Sequence, residues 1–206
     1  MSTVTMKSPY KGSGQLTRQK FLFYEMRTTA RLIQKGLNDE QVLNEIVYGN
    51  LYQYPTEKTI RQVAQGCVAR LHALNCEDLI KSIAQNDSVT AKQICLYALM
   101  KQYRLVWDFM VTVIGEKYRT QNFSFSQMDV NVFLMQLQEQ DDTVASWNES
   151  TVKKIRQVLI RVLVEADYLD SIKAKRINPV WLNPELEQAI KDNNDEKCLS
   201  AFNCFS

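Results

Sequence analysis

Six glycines and four prolines are all that punctuate 206 residues, and this scarcity constrains the fold more than any other feature. Hairpins and many-stranded sheets need turn residues that tolerate positive φ or hold φ near about −65°. A chain this poor in them is expected to build long helices, so the expected class is mainly α, compact and multi-helical. Its 45% hydrophobic and 23% charged residues are those of an ordinary globular protein with its own core.

Periodicity and capping residues place the helices. Residues 1–15, rich in Ser, Thr, Lys and Gly, read as a flexible basic arm. Helical spacing starts at Leu16 and runs through Phe21, Tyr24, Met26 and Leu32 to Gly36. Asn38 with Gln41 makes a capping box for a second helix that Gly49 ends. Thr56 or Thr59 caps a third, to about Leu74, with Ile60, Val63, Ala64, Cys67, Val68 and Leu71 on the inner face and Arg61, Gln62, Gln65 and Arg70 largely elsewhere. A short helix over 77–85 and a long helical stretch over 91–118 follow; Tyr97, Leu99, Tyr103, Leu105, Trp107, Phe109 and Met110 of the latter are expected to form the central core. Ser126 starts a further helix that ends in an acidic linker, residues 139–142.

The stretch from Ser146 to Leu182 has the outline of a winged helix-turn-helix. A helix capped at Asn148 or Ser150 puts Val152, Ile155, Leu159, Val162, Leu163 and Ala166 on one face and Lys153, Lys154, Gln157 and Arg161 opposite. Tyr168 and Leu169 close the core, Ser171 to Ile177 forms a short β-hairpin with Lys173, Lys175 and Arg176 at its tip, and Val180-Trp181-Leu182 returns as a strand. Asn183-Pro184 opens the last helix. From Thr151 to Arg176, Lys153, Lys154, Arg156, Arg161, Lys173, Lys175 and Arg176 outnumber Glu165, Asp167 and Asp170, in a chain whose net charge is only +2. Such a local excess suits counterion release from duplex DNA. The expected organisation is an arm (1–15), a helical domain (16–122), a C-terminal winged-helix-like module (123–193) and a tail (194–206) whose Phe202 and Phe205 dock on the body. The opening of the third helix, Glu57 to Val63, echoes Glu149 to Ile155; shared capping chemistry or a second helix-turn-helix would each produce that.

Catalytic signatures are missing. His72 is the lone histidine and reads as structural, and the sequence contains no phosphate-binding, dinucleotide-binding or nucleophile-elbow motif. Five cysteines without a C-x-x-C pair signal neither a disulfide framework nor a zinc site and fit a reducing cytoplasm. Glu25 reads as an ion-pair partner of Arg27 or Arg18, and Asp141-Asp142 as a solvated linker. The most apolar region, Ile94 to Ile114, is interrupted by Lys101, Arg104 and Asp108, so a membrane span is not expected. No catalytic residue, metal or cofactor is expected.

Glu25-Met26-Arg27, Asn50-Leu51-Tyr52, Thr59 to Arg70-Leu71, Ala98-Leu99 to Tyr103-Arg104-Leu105 to Asp108-Phe109-Met110, and Trp147 through Thr151 to Glu165-Ala166 stand in an order and spacing that resemble the BrxA family. These are small accessory proteins of bacterial BREX phage-defence systems, long carried as a domain of unknown function. The resemblance covers roughly residues 10–190. It implies a helical protein of NusB-like character, double-stranded DNA as partner and a place beside the system's methyltransferase and ATPases; it supplies no catalytic residue. The expected function is a non-enzymatic, cytoplasmic DNA-binding component that contacts mostly phosphate through Lys153, Lys154, Gln157, Arg161, Lys173, Lys175 and Arg176, with Arg18 and Lys20 of the basic N-terminal region as an added anchor. The alternatives are an α-helical adaptor using Leu51, Tyr52 and Tyr54 or Phe202 and Phe205, and a NusB-like RNA binder.

Overall fold

A computed structural model describes residues 8–10, 16–18 and 20–205, and the expected arm falls mostly outside them. The helical run expected from Leu16 is not continuous: α1 (Phe23–Gln34), the first helix lying wholly within the described residues, begins only after Leu22, which adopts φ 59°, ψ 42°. The cause is tertiary. The carbonyls of Lys20 and Phe21 accept hydrogen bonds from Nη1 of Arg70, at 2.8 and 3.2 Å, and so do not enter a helical ladder.

Capping chemistry sets the next elements. Asn38 and Gln41 form the reciprocal box that starts α2 (Asp39–Tyr48). Thr56 caps α3 (Glu57–Ala73), and α4 (Glu77–Gln85) follows. Asp87 caps α5 (Ser88–Gln102). Ten of the fifteen residues of α5 are buried, from Thr90 to Met100, and a helix apolar on every side belongs in the interior. α3 and α4 pack against it, and α1 bridges them.

Tyr103, at φ −123°, ψ 106°, breaks the long apolar stretch. Beyond it, α6 (Arg104–Phe109), a π-helical stretch (Met110–Gly115) and α7 (Glu116–Arg119) run on. The terminal 3₁₀ helix, Glu196–Phe202, packs on the π-helical stretch. A β-carbon at Gly115 would stand 2.6 Å from Oγ of Ser200, so only glycine permits this approach. Phe202 is fully buried there, whereas Phe205 is 49% exposed, so only the first of the two docks.

Three helices follow in a tight sequence: α8 (Gln127–Gln140), capped by Ser126; α9 (Asp142–Ala145), capped by Asp141; and α10 (Glu149–Glu165), capped by Asn148. α8 and α10 run antiparallel: Arg156 reaches Asn131, near the start of α8, while Gln138, near its end, lines a hollow with Glu149, Val152 and Lys153. Asn183 caps α11 (Pro184–Asp192).

The expected winged module with its short β-hairpin is not what the chain builds. Among the described residues there is no strand longer than a single bridge, and that bridge joins Arg176 to Ser124, far back in the chain. Phe125 N donates to Lys175 O at 2.9 Å and Ile177 N to Phe123 O at 2.8 Å. Residues 175–177 therefore pair with the entry to α8 and not with 180–182. The backbone of that second segment has another partner. Gln93 donates through Nε2 to Trp181 O at 2.8 Å and accepts from Asn183 N at 3.0 Å, which leaves the Trp181 side chain 83% exposed.

Arg70 also lies elsewhere than the helical wheel puts it. Placed by the wheel off the inner face of α3, it is fully buried, where Nε donates to Oε1 of Gln102 at 2.6 Å and Nη1 holds the two carbonyls before α1. A guanidinium is tolerated in a core only with its donors engaged in this way.

Candidate nucleic-acid interface

The register of α10 is fixed at its start, where Oδ1 of Asn148 accepts from Thr151 N at 2.9 Å. From there Ile155, Val158, Leu159, Ile160, Val162 and Leu163 turn inward. Lys153, Lys154, Gln157 and Arg161 are all exposed. At about 100° and 1.5 Å per residue they share an arc of roughly 100° along about 12 Å of helix. None of the three cations is within ion-pairing distance of a carboxylate among the described residues. Arg156, counted with this charge in the sequence, is turned inward and donates to Oδ1 of Asn131 at 2.9 Å.

The C-terminal end of this stripe has its own electrostatics. Burial pushes the Glu165 carboxyl above the usual range, Lys20 and Arg161 pull it back, Glu25 adds to the rise and Lys92 opposes it. The positive charges of Lys20, which precedes α1, and of Arg161, on the basic face of α10, are thus both felt at one half-buried carboxyl. Lys92, one turn into α5, pairs with Asp167 at 2.8 Å and lies over the Phe23 ring at 5.9 Å. Sequence reasoning missed Lys92 and the part played by Glu165, because the pairing of Lys92 with Asp167 and the burial of Glu165 depend on how α5 and α10 are placed.

The other predicted residues are distributed differently. Lys173, Lys175 and Arg176 are exposed, but on the segment paired with 123–125, where the Arg176 guanidinium lies 5.4 Å over the Phe123 ring. Arg18 is exposed too and lines a separate concavity of about 510 Å³ with Thr59, Gln62, Gln65, Gly66 and Gln102. Lys20 is only partly exposed and its charge is felt at Glu165, at the C-terminal end of α10, whereas Arg18 lines another surface.

Several residues weighed for other roles find structural ones. Glu25 forms no ion pair among the described residues and accepts from Tyr54 Oη at 2.5 Å. His72 meets Asp39 at 2.9 Å and ties α3 to the first turn of α2. Asp141 is no mere linker, since it caps α9 and accepts from Ser8 Oγ at 2.9 Å. Tyr52 and Phe202, two contact points of the adaptor reading, are interior. Burial pushes the Cys67 thiol up to about 12 and raises that of Cys95, which leaves both without thiolate character at neutral pH. Among the described residues no cluster of His, Cys, Asp and Glu could hold a metal ion, and no helix is long and apolar enough to cross a membrane.

The family model for BrxA matches residues 9–194. The chain belongs to the BrxA family. It is 35% identical to a protein of Bacillus cereus (strain H3081.97) named BREX protein BrxA, across 84% of this chain and 87% of that one. A protein of the same name from Escherichia coli O9:H4 (strain HS) is 23% identical across 91% of this chain and 87% of its own length. In three dimensions the chain is similar to an uncharacterized protein from Magnetospirillum magneticum, known from a crystal structure. The TM-score is 0.74 at 21% identity, covering 92% of this chain and 96% of the other. That likeness concerns the fold alone.

Proposed function

We propose that this protein is a non-enzymatic component of a BREX phage-defence system that binds double-stranded DNA through the exposed face of α10. Membership of the family, with relatives named BREX protein BrxA, supports the first half of this reading. The second half is carried by one observation: Lys153, Lys154 and Arg161 share one helix face, exposed and outside ion-pairing distance of any described carboxylate. Lysine and arginine in such an array neutralise phosphates and release condensed counterions. Gln157 and Arg161 are the base-reading candidates of the stripe, so sequence preference is weak. Lys20 extends the face at its C-terminal end, and Lys173, Lys175 and Arg176 add flanking phosphate contacts from a second element. The protein acts in the cytoplasm beside other subunits of the system, the methyltransferase and the ATPases.

The experiment is a salt titration of binding to random-sequence duplex DNA, with single-stranded RNA as competitor. This reading expects a linear fall of log affinity with log salt and poor competition by RNA. A flat salt dependence removes the phosphate-binding face, and preferential displacement by RNA favours the NusB-like alternative.

A further inference from the structure

α8 is apolar on both sides. Val130, Phe133, Leu134 and Leu137 face the core, while Met128, Val132 and Met135 are 63%, 44% and 59% exposed on the outer side. Their spacing of four and then three residues is that of a seam between two packed helices, and it runs for about 10 Å along the axis. The rest of the outer face is Gln127, Gln136, Glu139 and Gln140. Of the two charged residues in α8, Asp129 is engaged by Lys117 at 2.7 Å, so Glu139 is the one charge this face exposes. A solvated helix face in a chain with 23% charged residues is normally far richer in charge.

Charge also differs between the two ends of the seam. At the N-terminal end, two residues before the cap Ser126, Ser124 bridges to Arg176, so Arg176 and Lys175 stand there, exposed and without a carboxylate partner among the described residues. At the C-terminal end stand Glu139 and Asp142, both exposed. The helix macrodipole has the same sense, positive at the start of α8 and negative at its end.

We infer that the outer face of α8 is the contact between two copies of this chain, packed antiparallel about a two-fold axis that passes between Val132 and Met135. In that arrangement Val132 of each copy meets Met135 of the other. Glu139 and Asp142 of one copy then come to the end of α8 that carries Lys175 and Arg176 in the other, and each helix dipole opposes its partner. A parallel pairing would set acid against acid and cation against cation. The face is thus complementary to itself in one orientation only, the requirement of a two-fold contact. Beside the seam, the shallow groove between α8 and the π-helical stretch, lined by Thr112, Val113, Glu116, Val132 and Gln136, receives the flank of the second helix. Three apolar side chains per copy bury well under the roughly 800 Å² per partner of a standard stable interface, so the pair is weak and concentration-dependent. The seam is distinct from the α10 stripe, and although Lys175 and Arg176 are shared with the flanking phosphate contacts proposed above, the inference does not depend on DNA binding.

The experiment is sedimentation velocity of the DNA-free protein across a wide concentration range, with two sets of variants. A rise of weight-average mass toward the dimer is expected, lost in Val132→Glu while helicity and melting temperature are kept. Glu139→Lys should weaken the rise, and Glu139→Lys combined with Lys175→Glu and Arg176→Glu should restore it. Under oxidation, a mixture of Val132→Cys and Met135→Cys chains should cross-link, whereas Met128→Cys alone should not. A monomer at every concentration overturns the inference, as does a dimer indifferent to Val132→Glu. Self-cross-linking of Met128→Cys would overturn the antiparallel orientation. Loss of binding to another subunit in Val132→Glu, with the protein monomeric throughout, would reassign the face to that partner.

Discussion

Nη1 of the buried Arg70 donates to the carbonyl of Lys20 at 2.8 Å, so a cation in the core holds in place the backbone of a cation at the surface. Phe21 O and Oε1 of Gln102 take further donors of the same guanidinium, at 3.2 and 2.6 Å. Hydrogen bonds to a charged donor contribute about 1.5–3 kcal/mol each, and an acceptor left buried and unpaired costs about 1–3 kcal/mol. Arg70→Met is therefore expected to lower stability by about 3 kcal/mol or more in urea unfolding. Arg70→Lys should recover little, because a single ammonium cannot serve three acceptors in a fork.

Removal of charge from α10 tests the DNA reading at its centre. The Lys153→Ala, Lys154→Ala, Arg161→Ala triple variant should weaken duplex binding and lower the log–log salt slope by about 0.9 for each lost phosphate contact. Helicity should not change, since all three side chains are exposed and alanine is a strong helix former. Retention of the full slope would take this face out of the account.

Glu165 places a negative charge within the field of Lys20 and Arg161. Its carboxyl is raised by burial, so in the folded protein it takes up a proton at higher pH than an ordinary glutamate. The linkage follows directly. The folded state binds this proton more tightly than the unfolded chain, so the contribution to stability is fully present below the unfolded pKa and is lost as pH rises through the raised one. The same protonation removes a charge that repels phosphate. Duplex affinity is expected to increase as pH falls through the interval between the ordinary and raised values. Glu165→Gln should tighten binding at neutral pH and flatten that part of the profile, as read by fluorescence anisotropy at constant ionic strength.

Gly115 meets Ser200 where the terminal 3₁₀ helix rests on the π-helical stretch. Gly115→Ala would bring its β-carbon to 2.6 Å from Oγ and 2.9 Å from Cβ of Ser200, and overpacking of this kind costs about 1–3 kcal/mol. A lower melting temperature is expected for the single variant. Adding Ser200→Gly, which removes both of the closest atoms, should return part of it. Equal melting of the two variants would place the strain elsewhere.

The helices were legible because their signals are local. Asn38 with Gln41, Thr56, Ser126, Asn148 and Asn183-Pro184 each act within four residues of themselves, and each starts the helix expected of it. The exposed set Lys153, Lys154, Gln157 and Arg161 was legible for the same reason, since once a helix and its apolar stripe are known the opposite face is determined. The basic segment after Leu169 was legible as charge and not as shape. Three residues of extended chain carry no periodicity, and nothing in Lys175-Arg176-Ile177 names Phe123 to Phe125 as the partner.

What the sequence determined by itself is therefore a set of capped helices with their inner and outer faces, because φ, ψ and side-chain direction repeat over a turn or two. Packing alone decided that Arg70 is buried, that Glu165 is half-buried within the field of Lys20 and Arg161, and that Met128, Val132 and Met135 remain uncovered. An apolar or charged position on a helix acquires its environment only when a second element arrives or fails to arrive, and that element lies tens of residues away in the chain.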